Sequence, residues 1–420
     1  LATSIKLGKK EIMRQSKLMA GISAKDITPP LEVGLLTSSV NGLYEPFESV
    51  GLPLKARALV LRANDEYVVI VSLDLLCLND TGVGGWENFK KGLSDNISPE
   101  RIIICCTHTH SAPESSAMSN LYLTDAYKTW IRHVQSQIKA AISEAINNIK
   151  LCKLNVSESS LAGFSLQRRI KTPEGIIMSD SIQPIAPELF DKEPVDHRVN
   201  TLYFQDMEDK TIATVVQAVC HPVHEMCIPR VSADFPGEMC LALDASDEYG
   251  TPMFLNGAAG NTNPPTVSMG HEYARKHGQA LANVAQEKSG LQIIDTSIFD
   301  FVYSEKQLPI RPEAKMDNPK DGIARISAIR IGPLAILFLP GEPFIETAFD
   351  IEKYSPFEHT IIAGFSENNI GYIPTEVAFE EGGYEIGPGK WSFLAKGSDH
   401  IITDEALRLL NKLAVKQGID

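Results

Sequence analysis

Cys106-Thr107-His108-Thr109-His110-Ser111-Ala112-Pro113 places two imidazoles two residues apart, directly after the apolar run Arg101-Ile102-Ile103-Ile104-Cys105. Such a run reads as a buried strand. Residues two apart on a strand face the same way, so His108 and His110 are expected to emerge together at its end. One could bind a metal while the other holds substrate; a pair of hydrogen-bonded structural histidines is the plain alternative. A second imidazole group, Cys220-His221-Pro222-Val223-His224-Glu225, follows the apolar run Ile212 to Val219. If the two strands lie side by side in one sheet, His108 and His221 converge. A hydrolytic zinc site gathers ligands from distant segments in this way and leaves a position open for water. Leu339-Pro340-Gly341-Glu342-Pro343 supplies a carboxylate where the run Ala335 to Leu339 breaks at Pro-Gly. Glu342 is there either a metal ligand or a glutamate stabilised by the dipole of a following helix.

The elements that must position these residues alternate along the chain. Leu59 to Arg62 and Tyr67 to Leu73 read as a hairpin, and Ile102 to Cys106, Thr201 to Phe204, Ile212 to Val219 and Pro252 to Leu255 read as further strands. Ile326 to Ile331, Ala335 to Leu339 and His359 to Gly364 complete the set. Tyr127, Trp130, Ile131, Val134, Ile138, Ala141, Ile142 and Ala145 recur at helical spacing between Asp125 and Ile149, and Gly270 to Glu287 and Thr403 to Val415 read as two more helices. The expected fold is α/β, with central sheets flanked by helices in αββα-like layers. Residues 1–19 read as an N-terminal extension and 20–420 as a single domain. The polar, Pro-rich stretch Lys171 to Pro194 reads as a long loop or lid.

Composition narrows the function. With 420 residues, 43% of them hydrophobic, the chain has ample material for a core. A net charge of −14, with Lys and Arg in no block longer than a pair, argues against a nucleic-acid partner. No apolar run approaches the roughly 20 residues that span a bilayer. The first residues, with Lys6, Lys9, Lys10, Arg14 and Lys17, lack a signal-peptide core, and because the chain begins at Leu1 an export signal is expected to have been removed already. The seven cysteines include no CxxC pair, so neither a disulfide framework nor a cysteine-closed zinc site is indicated. Cys105, Cys106 and Cys220 are expected to pack passively.

In motif order the chain resembles the catalytic domain of the neutral/alkaline non-lysosomal ceramidases, from Ala20 to the C-terminus. The resemblance rests on Gly21-Ile22-Ser23-Ala24-Lys25-Asp26-Ile27-Thr28-Pro29-Pro30, Ala56-Arg57-Ala58-Leu59, Ser72-Leu73-Asp74 and His108-Thr109-His110-Ser111-Ala112-Pro113, where the family has Gly for Ala112. It continues through His221-Pro222, Leu339-Pro340-Gly341-Glu342 and Gly371-Tyr372-Ile373-Pro374-Thr375, with Tyr384 beyond. It implies one Zn2+ on His108, His221, Glu342 and Tyr372. Tyr372 binds a cation well only as phenolate, or else moves off it to hydrogen-bond substrate. The resemblance further implies that His110 contacts substrate or the activated water, that Tyr384 belongs with the catalytic residues, and that the protein is exported. Arg168 falls near the family's anion-stabilising arginine, with Arg169 one residue away; a solvated basic pair is the alternative.

Two departures bear on substrate. The family's Gly-Asp-x-Ser-Pro-Asn segment reads Gly260-Asn261-Thr262-Asn263-Pro264-Pro265 here, so Asn263 stands where ceramidases have serine. An amide is no nucleophile but can orient substrate or stabilise an oxyanion. Ceramide-cleaving members also carry a C-terminal β-sandwich, whereas this sequence ends at Asp420 after a helix. His224, Glu225, Asp234 and Glu238, and Glu380, Glu381 and Glu385, suggest a polar pocket. The expected function is zinc-dependent hydrolysis of an amide, or a related ester or lactone, in a small-molecule substrate such as an N-acyl lipid. A metal-dependent reaction on a carbohydrate-derived substrate is the alternative, and a non-catalytic metal- or glycan-binding module is the third reading.

Overall fold

Lys55–Ala63 and Glu66–Leu73 carry the apolar runs Ala58-Leu59-Val60-Leu61 and Val68-Val69-Ile70-Val71, and these strands pair as a hairpin from Ala56 opposite Leu73 to Ala63 opposite Glu66. The structure, a computed structural model, describes residues 18–415 except 183, 184, 187, 189–191 and 193. The main sheet has thirteen strands. In chain order they are β1 (Met19–Asp26), β2 (Lys55–Ala63), β3 (Glu66–Leu73), β4 (Ile102–Cys106), β5 (Lys150–Ser160), β6 (Arg198–Asp206) and β7 (Thr211–Ala218). They continue with β8 (Thr251–Asn256), β9 (Gln292–Ile294), β10 (Phe299–Gln307), β11 (Ile323–Ile331), β12 (Leu334–Pro340) and β13 (His359–Ser366). The spatial order is β8-β7-β6-β5-β1-β2-β3-β4-β13-β12-β11-β10, with β9 paired to β5. β3 with β4, β7 with β8 and β12 with β13 run parallel.

Among the described residues β1 and β5 pair at Met19 opposite Leu151 and Ala20 opposite Lys150, with Cys152 N–H donating to Leu18 O at 2.9 Å beside them. At this narrow joint the sheet folds over, and its halves pack face to face. Leu59, Leu61, Val68, Ile70 and Ile103 of one half share a core with Phe204, Val215, Met253 and Leu255 of the other. Ser72 Oγ donates across the gap to Phe254 O at 2.7 Å. Helices cover both outer faces. α1 (Asp125–Asn147) begins where Thr124 Oγ1 accepts the Tyr127 N–H, and it lays Trp130, Val134, Ile138 and Ala141 on the first half. Each such large apolar side chain contributes about 1.5–3 kcal/mol by burial. α2 (Asp234–Asp244) and α3 (His271–Glu287) cover the second half through Phe235, Met239 and Leu281. α4 (Ile345–Tyr354) and α5 (Ser398–Val415) join α1 on the first half. The mixed α/β layering expected from sequence is the layering observed.

Two expectations need correction. β4 and β7, which carry the histidine turns, are not neighbours in a sheet. They belong to opposite halves, and their ends meet because the sheet doubles over. The start of the stretch 171–194 is not loop, because Arg169–Thr172 and Gly175–Met178 form an antiparallel hairpin with Ile170 opposite Ile177. Its turn, Pro173-Glu174, and its sparse apolar residues disguised the alternation. Residues 183, 184, 187, 189–191 and 193 of that stretch lie outside the described residues. Among the described residues no helix is long and apolar enough to cross a membrane.

Candidate metal centre

The end of β4 does not continue as a strand through the two histidines. Thr107 N–H donates to Leu73 O at 2.8 Å and His108 N–H to Leu75 O at 2.9 Å, and His108 then turns with φ at 71°. Left-handed backbone at a bulky residue is strained and persists only where its surroundings over-determine it. Here the His108 Nδ1 donates to Leu76 O at 2.7 Å and the ring stacks on Phe365 at 4.1 Å between centroids. The turn, rather than strand alternation, sets the His108 and His110 rings 4.9 Å apart at 86°.

His221 follows β7 and is anchored in the same manner. Its Nδ1 lies 2.7 Å from Ala259 O and 3.1 Å from Thr262 O. A carbonyl can only accept, so each Nδ1 carries a hydrogen, and in the neutral ring each Nε2 presents a bare lone pair. Those two Nε2 atoms lie 3.2 Å apart, with Glu342 Oε2 at 3.4 Å from His108 Nε2 and 3.3 Å from His221 Nε2. Neither nitrogen has a hydrogen to offer, and Glu342 Oε2 is buried without a hydrogen-bond partner among the described residues. Ligands about 2.0–2.1 Å from a tetrahedral zinc stand about 3.3 Å from one another, so the triangle has the size a cation requires. His110 Nε2 is 3.4 Å from His108 Nε2, and the ligand nitrogens of His108, His110 and His221 all lie within 4.8 Å of one another.

Burial lowers the pKa of His110 well below the usual imidazole value. Burial, followed by the charge of Arg168, brings His221 down to about 4. Burial pushes the Glu342 carboxyl up, but the facing His108 and His221 outweigh it and hold it well below its ordinary value. Neutral imidazoles beside a carboxylate are the protonation state that divalent-metal binding needs.

Glu342 is aimed by a short parallel ladder in which it stands opposite Tyr372, with its N–H donating to Gly371 O at 2.9 Å. Tyr372 thus shares the floor of the site. Burial raises its phenol well above the ordinary value, against the opposing effect of Arg168, whose guanidinium carbon lies 5.1 Å from the ring centroid. Without a cation Tyr372 is a neutral phenol.

Arg168 is held between two segments: its N–H donates to Asn261 O at 2.9 Å and its carbonyl accepts from Ser179 N at 2.8 Å. Its Nε donates to Glu385 Oε1 at 2.9 Å, and its Nη1 lies 3.2 Å from His221 Nε2. Nη1 also lies 3.5 Å from Asn263 Oδ1, while Nη2 is buried with no partner among the described residues. The basic pair is therefore not solvated. Arg168 turns to the histidines, and Arg169 turns to Glu385 Oε2 at 2.6 Å and to Gly382 O at 2.7 Å. Asn263 Nδ2 lies 3.4 Å from Ser179 Oγ. The Tyr384 hydroxyl bonds Ser39 Oγ at 2.6 Å, its ring stacks on Trp391, and burial raises its pKa to about 12.

All eight sequence-selected residues line one cavity of ≈ 380 Å³. Its floor is polar, but Leu36, Met118, Met178, Met226, Val267 and Trp391 make its walls largely apolar. This overturns the expectation of a polar pocket. His224 is taken up by Thr266 and His277, Glu225 by Arg230 and Ser232, and Asp234 by the N–H groups of Glu225 and Phe235. Glu380 pairs with Lys396, Glu381 faces a separate cavity beside Arg169, and Glu385 is spent on the arginines. None of the polar residues that suggested a carbohydrate substrate, His224, Glu225, Asp234, Glu238, Glu380, Glu381 and Glu385, lines this cavity.

Sequence reasoning missed Phe365 as the platform under His108 and Glu385 as the anchor of Arg168. A buried glutamate joined to two arginines has no local signature, because its partners are more than 200 residues away. Glu385→Ala is expected to leave metal content unchanged while lowering kcat/KM by about 10²-fold through loss of Arg168 alignment. Metal analysis and steady-state kinetics on the same preparation check this.

No protein-family model and no curated protein sequence matches this chain. Among solved structures it is similar to that of neutral ceramidase from Pseudomonas aeruginosa, with a TM-score of 0.74 and 18% identity over 96% of this chain and 76% of that one. It is also similar to a ceramidase complexed with C2, with a TM-score of 0.76 and 17% identity over the same shares. The chain has the neutral ceramidase fold.

Proposed function

We propose that this chain is a metal-dependent hydrolase that cleaves an amide bond in a substrate carrying an apolar chain. The observation that carries the reading is the triangle of His108 Nε2, His221 Nε2 and Glu342 Oε2, all 3.2–3.4 Å apart and lacking hydrogens between them. The fold shared with ceramidases and the apolar cavity walls support the amide and the chain respectively. Bound there by His108, His221 and Glu342, with Tyr372 and His110 alongside, Zn2+ would supply Lewis-acid polarisation and a lowered water pKa.

The residues divide the remaining work. His110, kept neutral by burial, takes a proton from the attacking water at Nε2 and returns it to the leaving amine nitrogen as the carbon–nitrogen bond breaks. Arg168, permanently charged and with Nη2 unpartnered among the described residues, faces the oxygen on which negative charge develops. The Asn263 amide beside it turns Oδ1 toward Arg168 Nη1, which helps to orient the guanidinium, and needs no nucleophilic role. The Tyr384 and Trp391 rings wall the cavity against water.

Purified protein should hold about one zinc per chain and hydrolyse N-acyl lipids in preference to sugar lactones and oligosaccharides. His108→Ala should lose both metal and turnover. Full activity in the metal-free variant, or turnover confined to the sugar substrates, defeats the proposal.

A further inference from the structure

The two histidine turns come from opposite halves of the folded-over sheet, so something must hold one in register with the other. Among the described residues one main-chain hydrogen bond links the turns themselves, His110 N–H to Pro222 O at 3.1 Å, beyond both metal-facing histidines. The parallel β7–β8 ladder ends at Ala218 opposite Asn256, two residues before Cys220. From there the side chain of Asn256 takes over. Its Nδ2 donates to Cys220 O at 2.9 Å and to Thr107 O at 3.1 Å, and its Oδ1 accepts from Cys220 N at 3.3 Å. Cys220 and Thr107 are the residues immediately before His221 and His108. We infer that Asn256 is a positioning residue for the metal centre, a single buried amide that clamps both histidine turns at the separation a cation needs.

This inference rests on the metal reading above. Its chemistry admits few substitutes. Two carbonyls must each receive a hydrogen while one N–H finds an acceptor, and a primary amide does all three from one planar group. Asn256 is fully buried, so no water from bulk replaces it. An error of a few tenths of an ångström at either carbonyl passes directly into the Nε2 to Nε2 separation, because each histidine is also tied at Nδ1 to a backbone carbonyl. Groups that orient metal ligands in this way typically change metal affinity by about 10–100-fold when altered.

Asn256→Asp keeps the size but removes both donors and turns an anionic oxygen toward two carbonyls. Asn256→Ser keeps one hydroxyl. Ser72→Ala is the control: Ser72 Oγ bonds Phe254 O across the same two halves but touches neither histidine turn. Zn2+ affinity of the metal-free full chain is measured by competition with a chromogenic chelator. Asn256→Asp is expected to bind zinc about 10–100-fold more weakly than the parent. Asn256→Ser should show a smaller loss, and Ser72→Ala a change within about twofold. If Asn256→Asp does not fold, a loss of threefold or more in Asn256→Ser sustains the clamp, and parental affinity overturns it. Equal losses in Ser72→Ala and the Asn256 variants overturn it too, since general loosening of the layers would then suffice. A parent chain that binds no zinc overturns the metal reading and the clamp together; a zinc-binding parent with unaffected Asn256 variants overturns the clamp alone.

Discussion

Glu342→Gln is expected to leave the chain folded, strip it of zinc and lower kcat/KM by on the order of 10³-fold, a loss of about 4 kcal/mol in transition-state stabilisation. The substitution keeps shape and volume, so the ladder that pairs residue 342 with Tyr372 can form as before. What changes is the one anionic oxygen in a triangle whose other corners are imidazole nitrogens. An amide oxygen carries no net charge, and the amide nitrogen would present hydrogens to lone pairs that must face a cation. Metal content by elemental analysis and turnover on an N-acyl substrate are the two measurements. A variant retaining stoichiometric zinc would remove Glu342 from the ligand set. One retaining zinc and turnover would also show that the carboxylate merely faces a helix terminus, the alternative its position at a strand end allowed.

How much of this centre was legible in the chain depends on the length scale of each interaction. His108, His221 and Glu342 each follow an apolar run, and apolar runs ending in polar residues are local features that periodicity detects. Their convergence is not local. It requires the sheet to fold over where β1 meets β5 at Met19 opposite Leu151 and Ala20 opposite Lys150, and no pattern in either strand encodes that joint. The relation between His108 and His110 was anticipated for a reason the structure replaces: strand alternation predicts a shared face, while a left-handed turn at His108, braced by Leu75, Leu76 and Phe365, produces it. Composition misled at the pocket walls because it counts side chains without their directions. His224, Glu225 and Asp234 satisfy one another's neighbours behind the site, while Met118, Met178 and Met226, scattered over more than 100 residues, face into it.

Gly341→Ala is expected to damage the fold and the metal site together. At φ +65° an alanine is strained by about 1–2 kcal/mol, and its Cβ would stand 2.5 Å from Gly371 O and 2.7 Å from Ile370 Cγ1. Gly371 O is the acceptor for the Glu342 N–H, and Gly341 O is the acceptor for the Phe365 N–H at 2.9 Å. Relief of the clash therefore moves the carboxylate ligand, the Tyr372 register and the platform beneath His108 together. Gly163→Ala separates strain from collision, since Gly163 has φ +83° with nothing within 4 Å of the added carbon. Gly163→Ala should cost on the order of 1 kcal/mol with parental zinc affinity, as expected of backbone strain alone. Gly341→Ala should cost about 2–4 kcal/mol, as overpacking in a core does. It should also weaken zinc binding by more than about tenfold. Denaturant unfolding of the metal-free proteins and chelator competition measure the two quantities separately. Parental zinc affinity in Gly341→Ala would mean that the Glu342–Tyr372 ladder does not aim the carboxylate at the histidines.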